Sequence, residues 1–441
     1  MNNEITKNLL NKFEKAYESN IANKVIENAI FKNGLSKSSL NNEVIKKHNF
    51  IFSHETKVGN ITNQKQSGRC WIFAGLNSIR TKLMQDLNVE SIELSQNYLH
   101  FYDKLEKANY YLEWMIKEGL KLDNEDRLFR SFNDNPVSDG GYWEWFVNLV
   151  NKYGIVTKDA MNESFSSEST NEMVTQINWR LKAYTARMKQ TFAKTNDLEQ
   201  VNSLKEQALQ DVFTILCKSL GKPPKSFRFE YMDKDKKYQS LEEMSPLYFY
   251  KKYVGSYVED KIDLVSDPRQ KYDYNSFIIS PLVNNMVGGQ PLTMLNVDIE
   301  TMKKVMIDQI KAGEPVWFGC DVSTFSNSDG IMDSDLYNYD VTLSQTPEFS
   351  KAEQFESRAS VISHAMNMVG VNLDSNGKPV NWKVENSWGS DRGNKGFWSM
   401  SDQWFSDFNY MAIVDKKYLS KELSEANSKP KIEISIFDPL S

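Results

Sequence analysis

Residues 64–71 read Gln64-Lys65-Gln66-Ser67-Gly68-Arg69-Cys70-Trp71, and their order decides how the rest of the chain is read. Gly68 permits a sharp turn, and the apolar residues Ile72, Leu76, Ile79 and Leu83 beyond it recur at helical spacing. Cys70 therefore opens a helix. Its sulfur sits beside backbone N–H groups that lack intrahelical partners, at the positive end of the helix dipole, where thiolate is favoured over thiol. Gln64, six residues upstream, can bring its side-chain amide to the same place and, with the Cys70 N–H, hold a developing oxyanion. The apolar stripe itself is core packing.

A nucleophilic thiolate needs an imidazolium as ion-pair partner and proton donor, and that ring needs a third group to orient it. Four histidines occur: His48, His54, His100 and His364. Only His364 has a matching context. It sits in Ser363-His364-Ala365-Met366-Asn367, followed by Trp382-Lys383-Val384-Glu385-Asn386-Ser387-Trp388-Gly389. Both runs read as strands that can lie side by side, with Asn386 orienting the imidazole and Trp388 shielding their hydrogen bond. A single cysteine is most often a small core hydrophobe, and Cys70 alone would be read so. Seven residues in this order exclude that reading, whereas His48, His54 and His100 are surface or packing residues.

These motifs resemble the bleomycin hydrolase and bacterial aminopeptidase C branch of the papain-like cysteine peptidases. Ser67-Gly68-Arg69-Cys70-Trp71 lacks the extra cysteine of the secreted papain pattern, Cys-Gly-Ser-Cys-Trp. Further matches are Asp139-Gly140-Gly141-Tyr142-Trp143 and Asp402-Gln403-Trp404-Phe405, and together they reach from about residue 50 to Pro439. The resemblance implies an α+β, two-lobed papain-like fold: a helical lobe carrying Cys70 and a β-barrel-like lobe carrying His364 and Asn386. It also implies that Asp139, Gly140 and Gly141 bind the extended substrate backbone, that insertions build a homohexamer enclosing the active sites, and that no metal or organic cofactor takes part.

The gap between Cys70 and His364 is about twice the ~130–150 residues usual for papain-like enzymes, so material is inserted between them. Five segments follow: a helical arm over 1–49, the catalytic helical lobe over 50–159, a helical and mixed insertion over 160–290, the β-rich lobe over 291–425, and a tail over 426–441. Helices are expected over Ser95–Leu105, across 160–221 up to the breaker Gly221-Lys222-Pro223-Pro224, and over 300–312. A short sheet is expected in 225–290 and a buried strand over Pro315–Val322.

Composition agrees. Three cysteines, Cys70, Cys217 and Cys320, give no disulfide framework and no Cys-x-x-Cys pair, and Cys217 and Cys320 read as buried thiols. The start Met1-Asn2-Asn3-Glu4-Ile5 lacks a signal-peptide pattern, and no apolar run is long enough to span a bilayer, which points to the cytoplasm. A net charge of −6 without single-sign blocks argues against nucleic acid as a partner.

The tail supplies the finer expectation. Ile432, Ile434 and Ile436 alternate as in a strand, and the sequence stops at Asp438-Pro439-Leu440-Ser441. The resemblance implies a longer tail whose terminal carboxylate meets the substrate's ammonium in the cleft. Three fewer residues shorten an extended chain by roughly 10 Å, so the Ser441 carboxylate would leave more of the cleft open. The expected activity is therefore a peptidase that releases N-terminal residues from peptides through a thiol acyl-enzyme but also accepts longer or N-blocked peptides, with an endopeptidase of the same family as the alternative. A non-catalytic, nucleic-acid-binding hexamer would have lost part of the constellation, and a cysteine acyltransferase would share it.

Overall fold

The computed structural model describes residues 3–441, so the first two residues of the expected arm lie outside the described residues. Among these, thirteen strands form: β1 (His54–Glu55), β2 (Phe227–Met232), β3 (Tyr238–Met244), β4 (Lys261–Val265), β5 (Ser276–Ser280), β6 (Leu292–Asn296), β7 (Val316–Cys320), β8 (Ile331–Met332), β9 (His364–Leu373), β10 (Pro379–Glu385), β11 (Phe397–Ser401), β12 (Asn409–Asp415) and β13 (Ile432–Glu433). β2 and β3 make a separate hairpin. The other eleven form one mixed sheet in the order β13-β5-β6-β4-β12-β7-β9-β10-β11-β8, with β1 paired to β9. The α+β class follows: helices gather in one lobe and this sheet forms the other.

The helical lobe is built around the helix Cys70–Asp86. It is buried on nearly every face, from Trp71 to Met84, as a central core helix should be. The helix Gln96–Lys117 packs beside it. Its start was anticipated at Ser95, whose hydroxyl accepts the Tyr98 N–H at 3.1 Å, but it runs twelve residues beyond Leu105 because Ala108, Tyr111, Leu112 and Met115 continue the buried stripe. The first part of the insertion is a helical hairpin, Asn171–Thr195 and Leu198–Leu220, turned at Asn196 in a left-handed conformation with φ 50°. Met173, Ile177, Leu181 and Met188 on one arm, and Val201, Ala208, Val212 and Leu216 on the other, bury its inner face in the helical-lobe core.

Three expectations change. β4 and β5 fall within 160–290 yet belong to the large sheet, where β4 lies between β12 and β6; the helical hairpin, β2–β3 and the helix Pro246–Tyr253 stand apart from it. In the tail only Ile432–Glu433 is a strand, since the chain turns at Ser435, where Asp438 donates its N–H to the Ser435 carbonyl. Cys320 is buried as expected, whereas Cys217 is half-buried at the edge of the core. The arm over 1–49 is helical, but Leu10, Phe13 and Tyr17 remain exposed.

The lobes are joined through buried polar contacts as well as apolar ones. Trp317 in β7 donates its indole N–H to the Trp71 carbonyl at 3.3 Å, and the Asn367 amide in β9 donates to the Ala74 carbonyl at 2.9 Å. Arg80 on the nucleophile helix pairs with Glu385 on β10, both side chains 2% exposed. Burial pushes the Glu385 carboxyl up, and the Arg80 guanidinium opposes that rise. Removing one partner of such a pair strands a buried charge. Arg80→Leu should therefore cost about 3–5 kcal/mol, and Arg80→Leu with Glu385→Leu should recover most of it. Chemical denaturation of the three proteins checks this.

Candidate active site

The turn before the nucleophile is fixed by a residue far away in sequence. Gly68 N–H donates to Asp139 Oδ2 at 3.1 Å, and the Trp71 indole donates to the Asp139 carbonyl at 2.8 Å. The same carboxylate accepts from the Thr170 hydroxyl and meets Lys104 Nζ at 2.8 Å. Burial works against that charge, but Lys104 and the Thr170 hydrogen bond outweigh it and hold Asp139 well below the usual carboxylate range. Gly68 must be glycine here, because a Cβ would stand 2.7 Å from the Asp139 Cβ. Arg69, fully buried, occupies the N-cap position and pairs with Glu163 at 2.8 Å.

Arg69 provides no side-chain cap, so the first N–H groups of the helix remain available to the sulfur. Burial pushes the Cys70 thiol up, while the backbone N–H groups of Ala365, Trp71 and Cys70 itself draw it down. Ala365 follows His364 directly, so the nucleophile meets the strand that carries the imidazole. That strand is held in register by β7, with Cys320 opposite His364, and by β10, with Glu385 opposite Asn367.

His364 Nε2 donates to Asn386 Oδ1 at 3.0 Å. The amide orientation is fixed because the same Oδ1 accepts the Ser387 N–H at 2.8 Å. The proton therefore sits on Nε2, leaving Nδ1 as the basic nitrogen of the neutral ring. Trp388 lies over the pair with its ring centroid 4.8 Å from the imidazole. Burial lowers His364 to about 4, against the support of the Asn386 hydrogen bond. Desolvation thus opposes each charge by itself. Moving one proton from Cys70 to His364 would create both charges together, and in a poorly solvated site each would offset part of the other's cost.

Cys70 and His364 open onto one cleft cavity of about 420 Å³. Gly140, Gly141 and Ser441 also line it, with Tyr110, Phe132 and Trp145 forming apolar walls. A Cβ on Gly141 would stand 2.4 Å from the Trp71 ring, so only glycine lets the loop approach the nucleophile helix this closely. Asp139 does not reach the cavity. Its carboxylate points back to Gly68, Lys104 and Thr170, making it a positioning residue for the turn instead of a substrate contact. Gln64 is buried beside the turn, and its Nε2 donates to the Ser67 carbonyl at 2.7 Å, which leaves one N–H of that nitrogen uncommitted.

The sequence reading overlooked the support for the glycine loop. Lys107 Nζ donates to the carbonyls of Ser138 (2.8 Å) and Gly140 (2.7 Å), and Lys104 also donates to Ser138. Asp103 compensates both lysines at 3.3 and 2.9 Å. Burial lowers Lys107 to about 8. The available signal was the spacing of Asp103 and Lys107, four residues apart and so on one face of the helix, with Lys104 beside them. His100 is fully buried against this cluster and pushed well down by burial and by Lys104, so it is neutral packing. His48 is also buried, bonded to Ser399 at 2.8 Å and Asp333 at 3.1 Å.

If the thiolate exists only as part of an ion pair, removing the imidazole should eliminate it. His364→Gln should slow alkylation of Cys70 by iodoacetamide at neutral pH by at least about tenfold, with the rate recovering only as pH rises above the ordinary thiol range. The pH–rate profiles of the two proteins check this.

The Peptidase C1-like family model matches residues 4–441. Aminopeptidase C of Listeria innocua is 40% identical, with 100% of this chain and 99% of that protein covered. Human bleomycin hydrolase is 37% identical over 86% of this chain and 85% of its own length. The crystal structure of PepW from Lactobacillus rhamnosis superposes with a TM-score of 0.96 at 36% identity, covering 100% of this chain and 99% of that one. Its papain-like fold, its assembled cysteine, histidine and asparagine, and these matches place the chain in the Peptidase C1-like family of cysteine peptidases.

Proposed function

We propose that this chain is a cytoplasmic cysteine aminopeptidase that releases N-terminal residues from peptides through a thiol acyl-enzyme. The observation that carries the proposal is the His364–Asn386 hydrogen bond of 3.0 Å beside a cavity shared with Cys70. The Cys70 thiolate attacks the scissile carbonyl carbon. The Cys70 N–H and the uncommitted Gln64 N–H stabilise the resulting oxyanion. His364 gives its proton to the leaving nitrogen as the C–N bond breaks. It then takes a proton from water, which attacks the thioester and frees the thiol. Asn386 keeps the ring oriented, Trp388 shields that hydrogen bond, and the Gly140–Gly141 backbone aligns the substrate.

Restriction to the N-terminus is supported by the tail. Ile436 and Ser441 both line the cleft cavity, and Leu440 is buried, so the segment occupies one end of it. The names of the relatives point the same way. The three cysteines are all unpaired, in keeping with a reducing compartment. Exposed apolar residues on the arm (Phe13, Ile21, Val25 and Phe31) and on the insertion (Phe165 and Trp179) support assembly into a homohexamer. Light scattering on the 51.0 kDa chain tests the assembly, and a monomer would contradict it.

The decisive comparison is hydrolysis of one peptide with a free and with an acetylated N-terminus. Release of the first residue from the free peptide alone is expected; cleavage of the acetylated peptide within its sequence would instead make the chain an endopeptidase. Cys70→Ala should abolish turnover without loss of fold. Gln64→Ala should lower kcat by about 10²–10³ if its amide donates to the oxyanion, and a change of less than about threefold would remove it from that role.

A further inference from the structure

The helix Trp143–Tyr153 separates two cavities. Tyr142 at its start and Trp145 face the catalytic cleft, while Trp143, Glu144 and Val147 line a second cavity of about 500 Å³ between this helix and β4, β5 and β6. The peptidase chemistry makes no use of it. Its walls are mixed: Trp143, Val147, Phe277 and Leu419 give an apolar part, and charged and polar side chains line the rest. Two carboxyls enter from opposite lobes: Glu144 from the helix, 7% exposed, and Asp263 from β4, 1% exposed.

The protein leaves Asp263 unmet and meets Glu144 only in part, through the backbone N–H groups of Thr293 and Glu144 itself. Both oxygens of Asp263 and Oε2 of Glu144 are buried without a hydrogen-bond partner. A solvent-starved carboxylate in that position is costly, so an unmet acceptor pair needs either protons or a cation. Three lysines also line the cavity, and none pairs with either acid. Lys261 pairs with Glu314 at 3.0 Å and Asp415 at 3.4 Å, Lys416 donates to the Glu259 carbonyl at 2.8 Å, and Lys431 lies over the Phe277 ring at 5.9 Å. Burial, joined for Asp263 by the charge of Glu144, raises both acids, Glu144 to about 8. Empty, the pair therefore holds protons. A bound cation would displace them to solvent and meet the vacated oxygens.

We propose that this second cavity binds an organic cation, a primary ammonium or guanidinium on an apolar stem, with its charged end between Glu144 and Asp263 and its stem against Trp143 and Phe277. The volume is suited to an organic molecule. Among the described residues no group of three or more His, Cys, Asp or Glu side chains could hold a metal ion, which favours an organic occupant over a coordinated one. Such a ligand could be a free amine or a basic side chain of a peptide. The chemistry recognised is the same.

The test uses the full chain with its cleft blocked at Cys70 by a thiol-directed epoxide, so that amine binding there cannot interfere. Calorimetry with phenylethylammonium and with Nα-acetyl-lysine amide distinguishes a free amine from a peptide side chain. Saturable binding of either probe is expected, and neutral phenylethanol should bind at least about tenfold more weakly. Affinity should rise between about pH 6 and about pH 9 as the acids give up their protons. Asp263→Asn and Glu144→Gln keep the shape of acids that are protonated when empty and should fold. Each should weaken the cation at least about tenfold, and a crystal soaked with the bromo derivative should show it between these two residues. Binding unchanged in both variants, equal binding of the neutral analogue, or no binding of either probe would overturn the proposal and leave a proton-sharing carboxyl pair.

Discussion

Asp139 ties the glycine loop, the turn before Cys70 and the insertion to one point. Its carboxylate takes the Gly68 N–H, the Thr170 hydroxyl and the Lys104 ammonium, while its carbonyl takes the Trp71 indole. The turn that lets Cys70 begin a helix is therefore set by a charged group drawn from another part of the chain. A buried carboxylate is tolerable only because charged and neutral donors converge on it. Lys104, which pairs with it, also reaches the Ser138 carbonyl, and the neighbouring Lys107, paired with Asp103, reaches those of Ser138 and Gly140, so one electrostatic cluster fixes the loop and the turn together.

Above this cluster the site follows a different rule. Cys70 and His364 are poorly hydrated, and burial resists ionisation of either one. What the fold supplies is complementary: uncapped N–H groups and the Ala365 N–H for a thiolate, and the Asn386 carbonyl for an imidazolium. The interlobe contacts from Trp317, Asn367 and Arg80 keep the two halves of this pair at a fixed separation. In the proposed mechanism charge separation needs one proton to move between groups that the fold already holds together.

The central part of this arrangement was legible in the sequence because it is written in short contiguous motifs. Cys70 and Trp71 open a helix, and His364 and Asn386 begin and follow strands that pair directly, β9 with β10. The Asp139 run was recognisable as a motif, but its side chain was assigned to substrate because nothing local reveals that it turns back to Gly68, 71 residues earlier. Sheet membership of β4 and β5 was hidden for a similar reason: β12 beside β4 and β13 beside β5 come from the far end of the chain, and such long-range pairing is not encoded in the local pattern. The tail alternates like a strand, yet it bends at Ser435. Asp438 is captured there by Arg269 at 2.8 Å, Lys271 at 2.9 Å and Tyr272 at 2.8 Å, a clamp formed by residues far upstream. Glu144 and Asp263 gave no signal at all, since each is one acid in an ordinary amphipathic element.

The account stands on a covalent intermediate at Cys70. Rapid mixing with a slowly hydrolysed peptide ester, followed by acid quenching and intact-protein mass spectrometry, should capture one acyl group per chain, and peptide mapping should place it on Cys70. Ester turnover with no adduct, or an adduct that maps to Cys217 or Cys320, would contradict the account.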